Sequence, residues 1–327
     1  MTIKFNDAYI NDTATVTGPY EASGPLGRYF DKSYDNLYFG AKSWEQAEEK
    51  IINESVDIVK EKCGKGDIDL FIGGDLINQI TPSSYAASKF NSSFIGLYAA
   101  CATSTLGLII GSSFIENKIC KNIITFTSSH NNGAEKQYRY PVEYGGPKPK
   151  TTTFTSTGAA CAFVSSEKKG VKVESGTLGA VVDSNYKNVF HMGGVMAKAA
   201  ADTIYKHLKD TNRKIDYYDL VLSGDLGIYG KEILKEYLEK KYNIKLNNYN
   251  DTGTMLYDVD NQPVYAGASG PACAPLVTYS YIFDEMKKGK YKKVLLVATG
   301  ALMSPTMVNQ KLTIPAIAHA VSLEALK

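Results

Sequence analysis

Arginine is almost missing from this 327-residue chain: of 36 basic residues only Arg28, Arg139 and Arg213 carry a guanidinium, and the formal net charge is +2. Arginine is the preferred planar fork for phosphates and base edges, so nucleic acid is not an expected partner. Histidine is scarce as well, with His130, His191, His207 and His319 the only four. No C-x-x-C pair, H-E-x-x-H pair or EF-hand loop occurs, which excludes the familiar zinc and calcium motifs. The five cysteines (Cys63, Cys101, Cys120, Cys161 and Cys273) are an odd number without paired spacing. With no basic-then-apolar leader at the start, a reducing, cytoplasmic compartment is expected.

One long uncharged run does occur, between Lys89 and Glu116, and it contains "FIGLYAACATSTLGLIIGSSFI". Its length would span a bilayer, but Asn91, Ser92, Ser93, Thr103, Ser104, Ser112 and Ser113 interrupt it. The run reads as a buried strand followed by a buried helix, with no transmembrane segment.

The chain repeats its own grammar. "DLFIGGDL" (Asp69 to Leu76) matches "DLVLSGDL" (Asp219 to Leu226) at five of eight positions, and "CKNIITFTSS" (Cys120 to Ser129) is answered by "YKKVLLVATG" (Tyr291 to Gly300). Between these paired strands lie Cys101, in "AACATS", and Cys273, in "GPACAP". Cys101 precedes Lys121 by 20 residues and Cys273 precedes Lys292 by 19, room for one helix and a turn into the next strand. Duplication explains this economically and predicts an α/β protein of two similar halves, 1–170 and 171–327, sharing one core.

Helices fit between the strands. Ser43 and Gln46 form a capping box ahead of an apolar stripe that runs to Gly64. A second helix is expected over about 196–208, with His207 solvated late in it. Gly227 and Gly230 read as a turn before an exposed amphipathic helix over 231–242.

Cys101 has two readings. At a helix N-terminus it gains thiolate character and becomes a nucleophile; among alanines it is a small buried hydrophobe. A nucleophile needs a base, and His130, in the strand-end loop "TSSHNNGAEKQYRYP", is the candidate of most interest; His191 and His319 sit among apolar residues. The loop continues as "KQYRYPVEYGGPKPK", where lysines and Arg139 alternate with Tyr138, Tyr140 and Tyr144. It is either a solvated, proline-stiffened loop or a site for a small anionic, aromatic ligand. Asp75 and Asp225 end paired strands, where α/β proteins place ligand sites and where aspartate also caps turns.

The duplicated halves with a cysteine opening the first central helix resemble the thiolase-like fold of thiolases and ketoacyl synthases, a layered αβαβα sandwich. Longer strings, among them "GPLGRYFDKSYD", "GDLINQITPSSY", "TSSHNNGAEKQYRYPVEYGGPKPKT", "AAADTIYKHLKD" and "VATGALMSPTMVNQKLTIPAIAHAV", resemble the stage V sporulation protein AD family over essentially the whole chain. That resemblance implies a soluble binding protein for dipicolinic acid (pyridine-2,6-dicarboxylate) or its Ca²⁺ chelate, working beside integral membrane partners as dipicolinate enters and leaves the spore. It implies a location in the forespore, peripheral to the spore inner membrane, and a homodimer formed through the strand near Phe94 to Tyr98.

The ligand residues so implied are Asp75, Cys101 and the hydroxyl-rich segment Thr151 to Thr157, Thr153 in particular. Ser128, His130, Arg139 and Asp225 are added from the reading of the strand ends and the loop. No resident cofactor is expected; Ca²⁺ would arrive with the ligand, with Asp75 as an extra oxygen donor. The catalytic relatives carry a histidine where "SGDLGIYG" stands here and a second histidine or asparagine where "GASGPACAP" stands, so no catalytic residue is expected. The alternative is an acyltransferase with Cys101 as nucleophile and His130, His191 or His319 as an unconventional base.

Overall fold

In a computed structural model, which describes residues 1–64 and 67–326, ten strands form the spine of one long mixed sheet, a five-stranded sheet from each half joined edge to edge, whose order betrays a repeat. The first half supplies β1 (Tyr9–Thr17), β2 (Leu70–Gly74), β3 (Ser93–Gly96), β4 (Asn122–Ser129) and β5 (Gly158–Ser165), in spatial order β1-β5-β4-β2-β3. The second supplies β6 (Val171–Leu178), β7 (Leu220–Ser223), β8 (Tyr249–Asp251), β9 (Lys293–Ala301) and β10 (Ala316–Ala325), in the order β6-β10-β9-β7-β8. Each strand thus has a counterpart five numbers on. The senses agree too: β4·β2 and β2·β3 are parallel, like β9·β7 and β7·β8, while both pairings of β5 and both of β10 within their halves are antiparallel. The halves meet at a short antiparallel contact, Tyr9 with Lys172 and Ile10 with Val171.

A shared detail ties the repeat to its sequence. One carboxylate oxygen of Asp69 accepts the consecutive backbone N–H groups of Lys121 and Asn122, at 2.6 and 2.9 Å. Asp219 does the same for Lys292 and Lys293, at 2.7 and 2.8 Å. The aspartate before one strand and the lysine before its neighbour are therefore a matched pair that sets their register.

Helices complete five layers. Helix α1 (Trp44–Cys63), capped by Ser43 and ended by Gly64 in the left-handed region, packs through Ile51, Ile52, Val56 and Val59 on the outer face of the first sheet. Helix α3 (Asn131–Tyr138) follows β4, and helices α4 (Met192–Thr211) and α5 (Gly227–Tyr242) cover the outer face of the second. Helix α2 (Thr103–Glu116) lies between the sheets beside its counterpart α6, which covers residues 273–287 as Cys273–Val277, a π-helical turn Thr278–Ile282 and Phe283–Lys287. The helix of the uncharged run is interior, with Leu108, Ile109 and Ile115 out of solvent, whereas its strand is not buried as expected: β3 ends the sheet and its residues are exposed or half-buried. Among the described residues no helix is long and apolar enough to cross a membrane.

Three expectations need correction. Gly227 and Gly230 belong to α5, because Asp251 accepts the N–H groups of Leu226 and Gly227 and so caps the first turn. Helix α4 begins at Met192, four residues early, because the His191 side chain accepts from the Gly194 N–H. His207 is wholly buried, held between the Thr177 hydroxyl at 2.7 Å and the Tyr218 hydroxyl at 2.6 Å, and burial pushes its pKa down to about 4. Its neighbours Lys206, Lys209 and Asp210 suggested a solvated face; the i, i+3, i+4 stripe through Ala200, Thr203 and Ile204 runs inward instead.

Candidate functional site

The strand ends of both halves converge on Cys101. Thr103 fixes its approach, since the hydroxyl accepts from the Ala99 N–H at 3.0 Å and donates to the Ala100 carbonyl at 2.6 Å. Ala100, at φ +47°, turns the chain sharply into the helix. Cys101 then lies partly exposed on the floor of a cavity of 60 Å³. The walls come from Leu76 and Ala134, the Tyr98 and Tyr138 rings, Arg139, Thr153 and Thr155, Ser269 and Gly270, and the methionines Met192, Met196 and Met303.

Behind Cys101 stands Asp225, fully buried and in the left-handed region at φ +48°, which aspartate tolerates better than most residues. It accepts from the Thr299 hydroxyl at 2.8 Å and the Gly270 N–H at 3.2 Å, and it stands close enough to the Cys101 thiol to act on its ionisation. Burial raises the Asp225 carboxyl to about 7. Burial first, then the neighbouring Asp225 charge, pushes the Cys101 thiol well above the ordinary cysteine range. Cys273, the counterpart in the second half, flanks the same carboxylate and is raised by the same two causes. A thiol in this setting keeps its proton, the reverse of what nucleophilic catalysis asks.

Thr153 is the second residue of note. It is 2% exposed, lines the cavity, and its hydroxyl has no hydrogen-bond partner. Buried hydroxyls are ordinarily satisfied, so this one is a donor waiting for an acceptor. Arg139 closes one side. It forks onto buried Glu135, with Nε to Oε2 at 3.0 Å and a second bond from the other arm, while Lys148 reaches the same Oε2 at 2.9 Å. Two cations share one carboxylate, which leaves an excess positive charge beside the cavity.

The other candidates lie elsewhere. Along β4 the side chains alternate: Thr127 donates to the Pro271 carbonyl of the second half and Ser129, beside Gly270, to the Ser156 carbonyl, while Ser128 and His130 turn toward α1. Ser128 donates to buried Glu48 at 2.8 Å. His130 stacks on Trp44, bonds the Leu37 carbonyl at 2.8 Å and is pushed down to about 4 by burial. His319, on β10, accepts from the Gly179 N–H at 3.2 Å and is likewise lowered to about 4. None of these three lines the cavity, and neither histidine is placed to serve Cys101 as a base. His191 caps α4 beside Met192 but does not line the cavity either.

Asp75 is also outside it. One oxygen accepts the Ile77 N–H at 2.7 Å and the other the Ser83 N–H and hydroxyl at 2.9 and 2.6 Å, with no exposure to solvent. Both oxygens are engaged in folding the loop that carries Leu76, which argues against Asp75 as an oxygen donor to a ligand-borne cation in this arrangement. Among the described residues no group of three or more His, Cys, Asp or Glu side chains is placed to hold a metal ion. Reading from the sequence missed the methionines and Ser269; only the glycine-rich run before Cys273 signalled that backbone would approach closely there.

Comparison with known proteins agrees with this geometry. Among solved structures, OleA of Xanthomonas campestris superposes with a TM-score of 0.63 at 13% identity, covering 98% of this chain and 99% of the other. The 3-oxoacyl-[acyl-carrier-protein] synthase III of Aquifex aeolicus VF5 gives 0.59 at 13%, covering 97% and 99%. These likenesses establish the thiolase-like fold and leave the chemistry open. The Stage V sporulation protein AD of Bacillus subtilis (strain 168) is 43% identical over 318 residues, 97% of this chain and 94% of that protein. Residues 1–324 match the family model for stage V sporulation protein AD (SpoVAD), and this sporulation-protein chain belongs to that family.

Proposed function

We propose that this chain is a non-catalytic binding protein for dipicolinic acid, free or as its Ca²⁺ chelate, serving its passage into and out of the spore. The observation that carries the reading is the pairing of Cys101 with Asp225. A carboxyl where a condensing enzyme needs a base withholds the thiolate, and the cavity that remains is a binding site. Three features favour a planar dianion as the occupant: the excess charge of Arg139 and Lys148 over Glu135, the unpaired Thr153 hydroxyl, and the Tyr98 and Tyr138 rings. No acidic side chain lines the cavity among the described residues.

Calcium would come with the ligand, held chiefly by its carboxylates and water. The protein would act at the spore inner membrane through integral membrane partners and as a homodimer. The exposed edge of β3, paired only with β2 among the described strands, offers a pairing surface for a second copy.

Calorimetric titration of the purified protein with dipicolinate, with and without Ca²⁺, tests the proposal. Saturable heat is expected, and its absence in both titrations would end the reading. Incubation with acyl thioesters should leave the intact mass unchanged; an adduct lost in Cys101→Ala would point to acyl transfer instead.

A further inference from the structure

The cavity at Cys101 is small for the task. Its 60 Å³ falls well below the roughly 300–1,000 Å³ of sites for small organic ligands. A pyridine ring with two carboxylates does not fit it as it stands. Outside it lies a groove of 420 Å³, bordered by residues 78–80 of the loop after β2 and by Gly96 and Leu97 at the end of β3. Cavity and groove have Tyr98, Tyr138 and Met303 in common, so those three side chains are the wall between them. Neither space is lined by an acidic side chain among the described residues.

Little holds that wall. The Tyr138 hydroxyl donates to the Leu76 carbonyl and accepts from the Tyr98 hydroxyl at 2.7 Å. Tyr98 is 47% exposed in the single chain, at the end of the β3 edge proposed above to meet a second copy, and Met303 is an unbranched side chain that repacks readily. The backbone on either side is strained: Gln79 (φ +59°), Ile80 (φ +47°) and Ala100 (φ +47°) all occupy the left-handed region, where a β-branched residue is a genuine outlier. Strain of this kind gathers at segments that exchange between conformations.

We propose that the inner cavity and the outer groove are two parts of one site for a compact anionic ligand, divided by a Tyr98–Tyr138 gate that opens as the ligand enters. The identity of the ligand rests on the reading above; the gate does not. Two measurements on the full chain separate them. The first is peptide-resolved alkylation of Cys101 by iodoacetamide at pH 9 in the folded protein. Tyr138→Phe removes both hydrogen bonds and should raise the rate roughly tenfold, and Tyr98→Phe, which removes one, about threefold. The second is stopped-flow binding of dipicolinate, whose association and dissociation rates should both rise in Tyr138→Phe while Kd moves less.

Unchanged alkylation in both variants overturns the gate, even if dipicolinate binds. Faster alkylation without any dipicolinate binding keeps the gate and rejects the ligand. Alkylation that varies with protein concentration and ignores both substitutions would assign the groove to a second copy of the chain and also overturn the gate. Should Tyr138→Phe fail to fold, Tyr98→Phe, at a half-exposed position, decides alone.

Discussion

The carboxyl group of Asp225 stands behind the thiol of Cys101 and acts on its ionisation. Burial is the larger reason the thiol keeps its proton and the Asp225 charge the smaller. In the folded protein at pH 7.5, Cys101 should therefore alkylate at least tenfold more slowly than the same peptide in urea, with its pH profile displaced upward. Asp225→Asn should move the profile down without bringing it to the ordinary thiol range, because burial remains. A folded-state rate equal to that in urea would mean a ready thiolate and would revive acyl transfer.

The buried carboxyls should draw stability down as pH rises toward and through neutrality. Burial raises Glu21 and Asp225 to about 7, so the folded state holds protons that the unfolded chain has already released. Folded-state pKa values above the unfolded ones give stability that is lost on going up through the window, here from about 4 to about 7. His130, His207 and His319, lowered to about 4, act in the opposite sense, and because an unfolded histidine is still half protonated at about 6.5 they offset much of the loss up to about pH 8. Between pH 6.5 and 8 each carboxyl costs about 1 kcal/mol, so the net fall is small in the unaltered chain. Tm measured by calorimetry over that interval should therefore fall by more in the unaltered chain than in Glu21→Gln. Parallel profiles for the two would show that Glu21 is already ionised in the fold.

The repeat was legible because its markers are polar and fixed by the backbone. Asp69 with Lys121 and Asp219 with Lys292 stand at strand starts, where a carboxylate must meet two N–H groups, so the residues recur although the strands between them drift. Phase within a strand was not legible. Which of Ser128 and Ser129 turns away from α1 depends on which side that helix covers, and the strand end "TSSH" places polar side chains on both faces. His207 was misread for a related reason, since flanking charges describe the helix surface and say little about a single inward position. Met192 and Met303 carry no local signal, being brought to the cavity by loops from distant strands.

If Asp69 and Asp219 are the same device used twice, their removal should cost alike. Asp69→Ala and Asp219→Ala should each lower unfolding free energy by about 1–2 kcal/mol in urea titrations, since each deletes a charged acceptor from two exposed N–H groups. Being far apart, the two changes should add. A cost confined to one half would mean that the other carboxylate is incidental to its strand pair.

Thr153 separates binding from folding most cleanly. Its hydroxyl is buried and unpaired, so the near-isosteric Thr153→Val removes a desolvated polar atom and should raise unfolding free energy by about 1 kcal/mol. The same change takes away a buried, unoccupied donor on the cavity wall, so dipicolinate affinity should fall by roughly tenfold. Arg139→Lys should weaken binding as well but lower stability, because it breaks the fork onto Glu135. Opposite movements of stability and affinity in Thr153→Val would mark a group kept for a ligand; a loss of both would return Thr153 to the packing of the core.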